Sequence, residues 1–422
     1  MGIVKKMKDP LFVQDQEVEV RIDNGYPNVM RNGKNRWQMW YGTCSETCAE
    51  QYLLYANSTD GLIWEKPDLN IFEFKGSKKN NIVLKGGGLG IYNDVHETNA
   101  SRRYKMSGGA PDVCFDDGTC VSGTAMSPDG LTNWNNIESF DFAKPWRADC
   151  HTNLFYDDMT QKYVMTTREF TSESGRDIGI ATSDDFNWTE SKSLSVLNGT
   201  LEYQLYSQIT FRFLDILLGI VMVYDAQTGT VGPNAGHVHC RLAWSRDISN
   251  GWSWVDSKND FIPAGPLGSF DSHICFAAHL PIEMDEDGTH RIYYMGGNGP
   301  HSGARNSSLG LAILDRNRFA GVSPSTNGST VVSKALTLTS STIRVTLDVF
   351  DESNVYFEIL NVSGVSLFTS KPFDSSVTDS ALDFGDDNPL DPLVGSMIYL
   401  RVHSARRSDY FVLYTVEGVQ VN

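Results

Sequence analysis

The pattern Ala-x-Ser-x-Asp, followed by a turn and an aromatic residue, recurs through most of the chain and limits its possible folds more than any other feature. It reads "YANSTDGLIW" at 55–64, "TAMSPDGLTNW" at 124–134, "IATSDDFNW" at 180–188 and "LAWSRDISNGW" at 242–252. A degraded copy, "LAILDRNRF", stands at 311–319. The alanines fall at 56, 125, 181, 243 and 312, giving spacings of 69, 56, 62 and 69 residues. Such self-similarity marks an array of stacked supersecondary units. In each turn the Ser and Asp side chains can accept from backbone N–H groups, Gly permits a positive φ, and the aromatic can pack between units.

Upstream of the copies the pattern is also shared. Apolar runs ("PNVMRN", "TNLFYDD", "SQITFRF") lead into runs rich in Tyr, Trp or Met ("RWQMWYGT", "RRYKMSGG", "QKYVMTTRE", "HRIYYMGGN"). A unit of this length holds four short antiparallel strands. One such sheet cannot bury both faces, so five stack radially. Beyond residue 330 the repeat is absent, and "ALTLTSSTIRVTLDVF", "NVYFEILNVSG" and "MIYLRVHSARRSDYFVLYTV" alternate apolar and polar residues. The expectation is an all-β chain: a five-bladed β-propeller over about 10–322, then a β-sandwich over 330–422, with "GVSPSTNGSTV" (321–331) as the boundary.

Charge narrows the range of partners. The formal net charge of −17 argues against nucleic acid, because phosphate binding needs a basic surface. No run reaches the ~18 apolar residues of a membrane-spanning helix, and "FLDILLGIVMVY" (213–224) reads as two buried strands or one long one. The start, "MGIVKKMKDPLF", has no apolar signal-like core. Seven Asn-x-Ser/Thr sequons, at Asn57, Asn99, Asn187, Asn198, Asn306, Asn327 and Asn361, make N-glycans and a secreted or surface location the expectation. Of seven cysteines, Cys44 with Cys48 and Cys114 with Cys120 flank hairpin tips. Cys150, Cys240 and Cys275 remain, so at least one thiol is unpaired.

The series "NNIVL", "RRYKM", "QKYVMTTRE", "RDIGIATSDDFNWTE", "GSFDS", "IYYMGGNGPH" and "GLAILDRNRFAGV", with the "SxDGxxW" turns, resembles the invertase/levanase-like and arabinanase-like glycoside hydrolases. It is closest to a branch similar to the invertase N-terminal domain. Where those enzymes carry Asn-Asp-Pro-Asn-Gly, Arg-Asp-Pro and Glu-Cys signatures, this chain has "RIDNGYPN", "WRADC" and "LEYQ". The resemblance implies an oligo- or polysaccharide substrate and no cofactor. It puts Asp23 at the nucleophile or base position, Asp149 with Arg147 at the transition-state-stabilising position, and Glu202 near the general acid.

Residue chemistry leads to the same region. In a propeller the starts of the innermost strands converge at one end of the axis, and an acid lies near each expected start: Asp23, Asp94 or Glu97, Asp149, Glu202 and Asp271. Glycosidic cleavage needs two carboxylates across the bond. Asn24, Arg147, Glu97, Arg168, Asp271 and His301 are candidate substrate contacts, since Arg and His can hydrogen-bond sugar hydroxyls or an acidic substituent. His96, His273 and Arg305 are further candidates. His237 and His239 share a strand face, but two ligands make no metal site, and none is expected. "VLKGGGLG" (83–90) lacks the Lys-Ser/Thr and helix of a phosphate loop. Two other functions fit the same pattern: a carbohydrate-binding scaffold without activity, and a sialidase, whose repeats also use Ser-x-Asp.

Overall fold

The structure is a computed structural model. It describes residues 1–47, 50–114, 120–139, 150–188, 194–226, 236–302, 305–324, 330–350, 353–385, 389–404 and 410–421; side chains of 109–114, 120–122 and 135–139 lie outside the description. Among these residues the regular elements are β-strands and two short 3-10 turns. The chain divides into two compact units, one of residues 4–283 and 291–313, the other of residues 1–3, 284–290 and 314–422.

The larger unit contains five four-stranded antiparallel blades. Blade 1 is Asn28–Arg31, Trp37–Cys44, Gln51–Ser58 and Ile82–Lys85. Blade 2 is Gly90–Asn93, Tyr104–Cys114, Cys120–Ser127 and Asn135–Ser139. Blade 3 is Asn153–Asp157, Lys162–Thr171, Gly175–Ser183 and Leu194–Leu197. Blade 4 is Tyr203–Phe213, Ile216–Asp225, Val238–Ser245 and Ser253–Trp254, so the 213–224 run is two strands around a Leu214–Asp215 turn. Blade 5 takes Ile274–Ala277, His290–Gly297 and Ser307–Leu314 from late in the chain and its fourth strand, Lys5–Lys6, from the beginning. Lys5 pairs with Ile313 and Lys6 with Ala312, and the Met7 and Leu11 N–H groups extend the join by donating to Leu311 and Leu309.

The innermost strands meet in a closed ring. Asn28 of blade 1 donates to the Leu89 carbonyl and accepts from Ile91 N–H, tying blade 1 to blade 2. Blade 2 passes Gly90 under blade 3, where a Cβ would lie 2.3 Å from the Thr152 carbonyl oxygen. Asn153 of blade 3 repeats the asparagine device by accepting from Thr210 N–H of blade 4. Tyr206 then packs on Phe276 of blade 5 at 5.1 Å, and Phe276 on Tyr26 at 5.2 Å closes the circle.

The repeated turns do what their composition predicts. Ser58 Oγ accepts from Asp60 and Gly61 N–H, and Asp60 Oδ1 from Leu62 and Ile63 N–H. Ser127 and Asp129 repeat this one blade on. Gly130 sits at φ +77° with blade 1's Trp40 packed over it, and a Cβ there would come within 2.7 Å of the indole. Trp40 Nε1 donates to the Gly130 carbonyl. Trp64 lies edge-on to Tyr293 of blade 5. Apolar clusters form between blades accordingly, as where Phe155, Val164 and Ile180 of blade 3 meet Leu205, Leu217 and Val221 of blade 4. Burying such faces is the main force closing the stack. Cys240 and Cys275 form a disulfide between blades 4 and 5, Cys44 is disulfide-bonded, and Cys150 keeps its thiol. The register sets Cys114 opposite Cys120.

In the smaller unit, one sheet holds Val355–Leu360, Ser366–Thr369 and Met397–Ser404 with shorter partners, and a second holds Arg344–Val349, Val377–Ala381 and Phe411–Glu417. Val345, Leu347 and Phe411 from one face meet Val355, Phe357, Ile398 and Val402 from the other. This is a β-sandwich core with alternating inward residues.

Candidate active site

Aromatic and imidazole groups fill the axis just inside the ring's entrance. Tyr26 and His151 stack at 4.6 Å, and the Tyr26 and Tyr206 hydroxyls are 2.6 Å apart. His151 Nε2 lies 3.0 Å from the Ala277 carbonyl, which can only accept, so Nε2 carries the proton and donates. Complete burial pushes this imidazole down to about 3, so it is neutral near pH 7. Deeper in, His279 stacks on Tyr92 and donates from Nε2 to the Leu154 carbonyl. These rings fill the axis beneath the mouth.

At that mouth the segment before blade 1's inner strand carries Arg21, Asp23 and Asn24. Asp23 is 3% exposed, and its carboxylate receives Arg21 Nε at 2.9 Å and Nη2 at 2.5 Å. Arg305, whose side chain is 1% exposed, reaches over from blade 5. Its Nη2 lies 3.6 Å from Asp23 Oδ2, and it donates to the Asp23 carbonyl and to Asn24 Oδ1. Beside them is a cavity of about 160 Å³ lined by Arg21, Asn24, Tyr26, Gln51, Gly88 and Cys150, among others. The Gly-rich loop forms part of its wall, and its glycines reflect close packing: a Cβ on Gly88 would lie 2.3 Å from that of Cys150.

Across the mouth, Arg168 stacks its guanidinium 3.9 Å from the Tyr206 ring centre and donates from Nε to the Tyr206 carbonyl. His301 lies 4.9 Å from both Tyr206 and Tyr224, and Arg305 Nη1 donates to its carbonyl. Burial, followed by the charges of Arg305, Arg176 and Arg168, pushes the His301 imidazole down to about 4. Arg176, not singled out by the sequence, stands 5.8 Å from Tyr206 and 5.7 Å from Tyr224. It lies across the Arg168–Thr171 hairpin from Arg168, with Phe170 paired to Arg176, a proximity that only the strand register reveals. Tyr26, His151 and Tyr206 were missed too; their signal is a ring-bearing side chain within three residues of each inner-strand start.

The remaining expected residues are placed as follows. Asp149 and Arg147 lie outside the described residues. Glu202 is exposed just before the blade 4 inner strand, and only its carbonyl has a described partner, Ala226 N–H. Glu97 follows the blade 2 inner strand instead of preceding it, so it stands at the opposite end of the ring from the mouth. There it pairs with Lys105 and Arg102 beside a separate hollow of about 530 Å³ that also exposes His96. Asp94 pairs with the fully buried Lys105 and accepts from the Tyr163 hydroxyl. Asp271 is 5% exposed and is held by Lys6 at 2.6 Å, Tyr294 at 2.7 Å and Ser269 at 2.8 Å. Burial works to raise its pKa, but these three donors hold it below the usual carboxylate value. His237 packs on His273 and His239 bonds Asp260, yet no group of three His, Cys, Asp or Glu side chains among the described residues could hold a metal ion. Lys66, just outside the first repeat, clasps Asp15, Glu19 and the Val13 carbonyl, and is structural.

No family model matches the chain, and no curated protein matches it. Solved structures do. The catalytic domain of a GH62 α-L-arabinofuranosidase from Coprinopsis cinerea is 12% identical, with 74% of this chain and 97% of that one covered at a TM-score of 0.47. A sucrose-6-phosphate hydrolase from Lactobacillus gasseri is 12% identical, covering 94% of this chain and 84% of that one at 0.41. An N-acetylgalactosamine deacetylase from F. plautii, in complex with blood group B trisaccharide, is 14% identical, covering 74% and 94% at 0.43.

Proposed function

We propose that this protein is a glycoside hydrolase acting on an oligo- or polysaccharide at the mouth of the propeller ring, with Asp23 as its nucleophile or base. The observation that carries this reading is the setting of Asp23: a buried carboxylate at the start of an innermost strand, flanked by Arg21 and Asn24 on a cavity wall. Two guanidinium groups hold it, and Tyr26 forms part of the wall of the same cavity. Asp149 with Arg147, and Glu202, are the proposed stabilising and acid partners; Asn24, Arg168 and His301 are the proposed substrate contacts at this mouth. The carboxylate separation would decide between a retaining site, at ~5–5.5 Å, and an inverting one, at ~6.5–9.5 Å.

A glycan-library hydrolysis screen tests this. Wild type should release sugars, Asp23→Asn and Asp149→Asn should lose turnover, and Glu202→Gln should lose it for poor leaving groups first. Undiminished hydrolysis by Asp23→Asn would refute the site. A second reading, a carbohydrate-binding propeller without activity, is favoured by one feature: both Asp23 oxygens are already engaged by Arg21. Glycan binding with no turnover in any variant would select it.

A further inference from the structure

We infer that the sugar taken at this mouth carries an anionic oxygen group (a carboxylate, sulfate ester or phosphate ester) seated against Arg176, His301 and Tyr224. The inference rests on the glycan reading above and narrows its substrate class.

The chain has 52 acidic against 35 basic side chains, so carboxylates are in excess as partners for its arginines. Arg21 and Arg305 share one carboxylate, that of Asp23. Arg176 has none among the described residues: its Nη1 donates to the neutral Gln204 side chain, and its buried Nε has no hydrogen-bond partner. His301 Nε2 is likewise buried without a hydrogen-bond partner among the described residues. Arg176 and His301 both border Tyr224, whose described polar contact is a 3.4 Å approach to Ser302. Taking a guanidinium partly out of water without a counter-charge is costly, and a bound anion repays that cost. Two further details fit an anion rather than a neutral hydroxyl. Arginine presents a planar fork that matches a carboxylate or an ester oxyanion in bidentate fashion. The Tyr206 and Tyr224 rings, 5.8 and 5.7 Å from the guanidinium, take the place of water on that side and strengthen the pairing.

The test is calorimetric titration of the full chain with matched oligosaccharides: neutral members, and counterparts bearing a uronate, a sulfate ester or a phosphate ester. The expected result is binding of at least one charged class about 10- to 100-fold more tightly than its neutral counterpart, as charge-assisted hydrogen bonds give. That margin should shrink between 50 and 500 mM salt by screening. Arg176→Gln should bring the charged members to the affinity of the neutral ones, and Arg176→Lys should restore part of the margin. The preferred class identifies the anion. Equal affinity for charged and neutral members overturns the inference and leaves the glycan reading standing. Failure to bind any glycan overturns both, as does binding of free sulfate or phosphate alone.

Discussion

Asp23 and Asp271 are both buried aspartates that precede an innermost strand, one in blade 1 and one in blade 5, yet their surroundings differ in kind. Asp271 is enclosed by Lys6, Tyr294 and Ser269, one of them from the strand that completes its own blade. The Asp23 carboxylate is gripped by Arg21 with Arg305 close by, and its neighbours Arg21 and Asn24 line the cavity of about 160 Å³. A carboxylate whose donors are all structural elements works as a clasp. One gripped by arginines whose neighbours line a cavity is the proposed site of chemistry. Position relative to the repeat was shared; the donors distinguish the two.

The largest separation between the two should come from isosteric amides. Asp23→Asn is expected to lower hydrolysis about 1,000-fold or more, equivalent to ~4 kcal/mol of transition-state stabilisation, while the folded propeller persists. Asp271→Asn should do the opposite: turnover close to wild type, but stability to chemical denaturation reduced by about 3 kcal/mol because Lys6 is left partly buried and unpaired. If Asp271→Asn abolishes turnover at unchanged stability, the comparison fails.

Acid titration should separate the regions next. His151 and His301 at the mouth, and His279 beneath, have folded values of about 3, 4 and 4, below the 6.5 of an unfolded histidine. The unfolded chain therefore binds more protons, and stability that is complete above pH 6.5 is lost as the pH falls toward 4. By pH 5 His279 alone should cost about 2 kcal/mol. The Asp271 carboxylate is also lowered, so its contribution is present above the unfolded value of 3.8 and is lost only below it. Melting temperature against pH should thus show one decline from 6.5 to 4 that His279→Gln flattens, and a later one that Asp271→Asn removes. The smallest effect is expected in the turns: Gly130→Ala, at φ +77° and against Trp40, should cost about 1–2 kcal/mol by equilibrium unfolding with no change in glycan affinity.

The blades were legible because each turn repeats local chemistry. Ser58 and Asp60 need only their own neighbours to cap a turn, so the same letters recur wherever the same geometry does. The site was legible only in part. Asp23 and Asp271 precede inner strands as inner-strand logic expects, but Glu97 does not, because the short strand Gly90–Asn93 comes before it rather than after. Arg176 and the Cys240–Cys275 disulfide depend on register and on contact between blades. No local spacing encodes those.

The Lys5–Lys6 strand makes the ring dependent on the order of synthesis. Its partners, Ala312 and Ile313, leave the ribosome about three hundred residues later, so this strand must wait, unpaired, while four blades form. Closing a loop that long costs only slightly more entropy than closing one half as long. The delay is therefore one of time, during which the Lys5–Lys6 strand has no mate. A circular permutant that joins Lys5–Lys6 directly after blade 5 would remove that wait, and its refolding should be faster with less aggregation while the equilibrium fold stays the same.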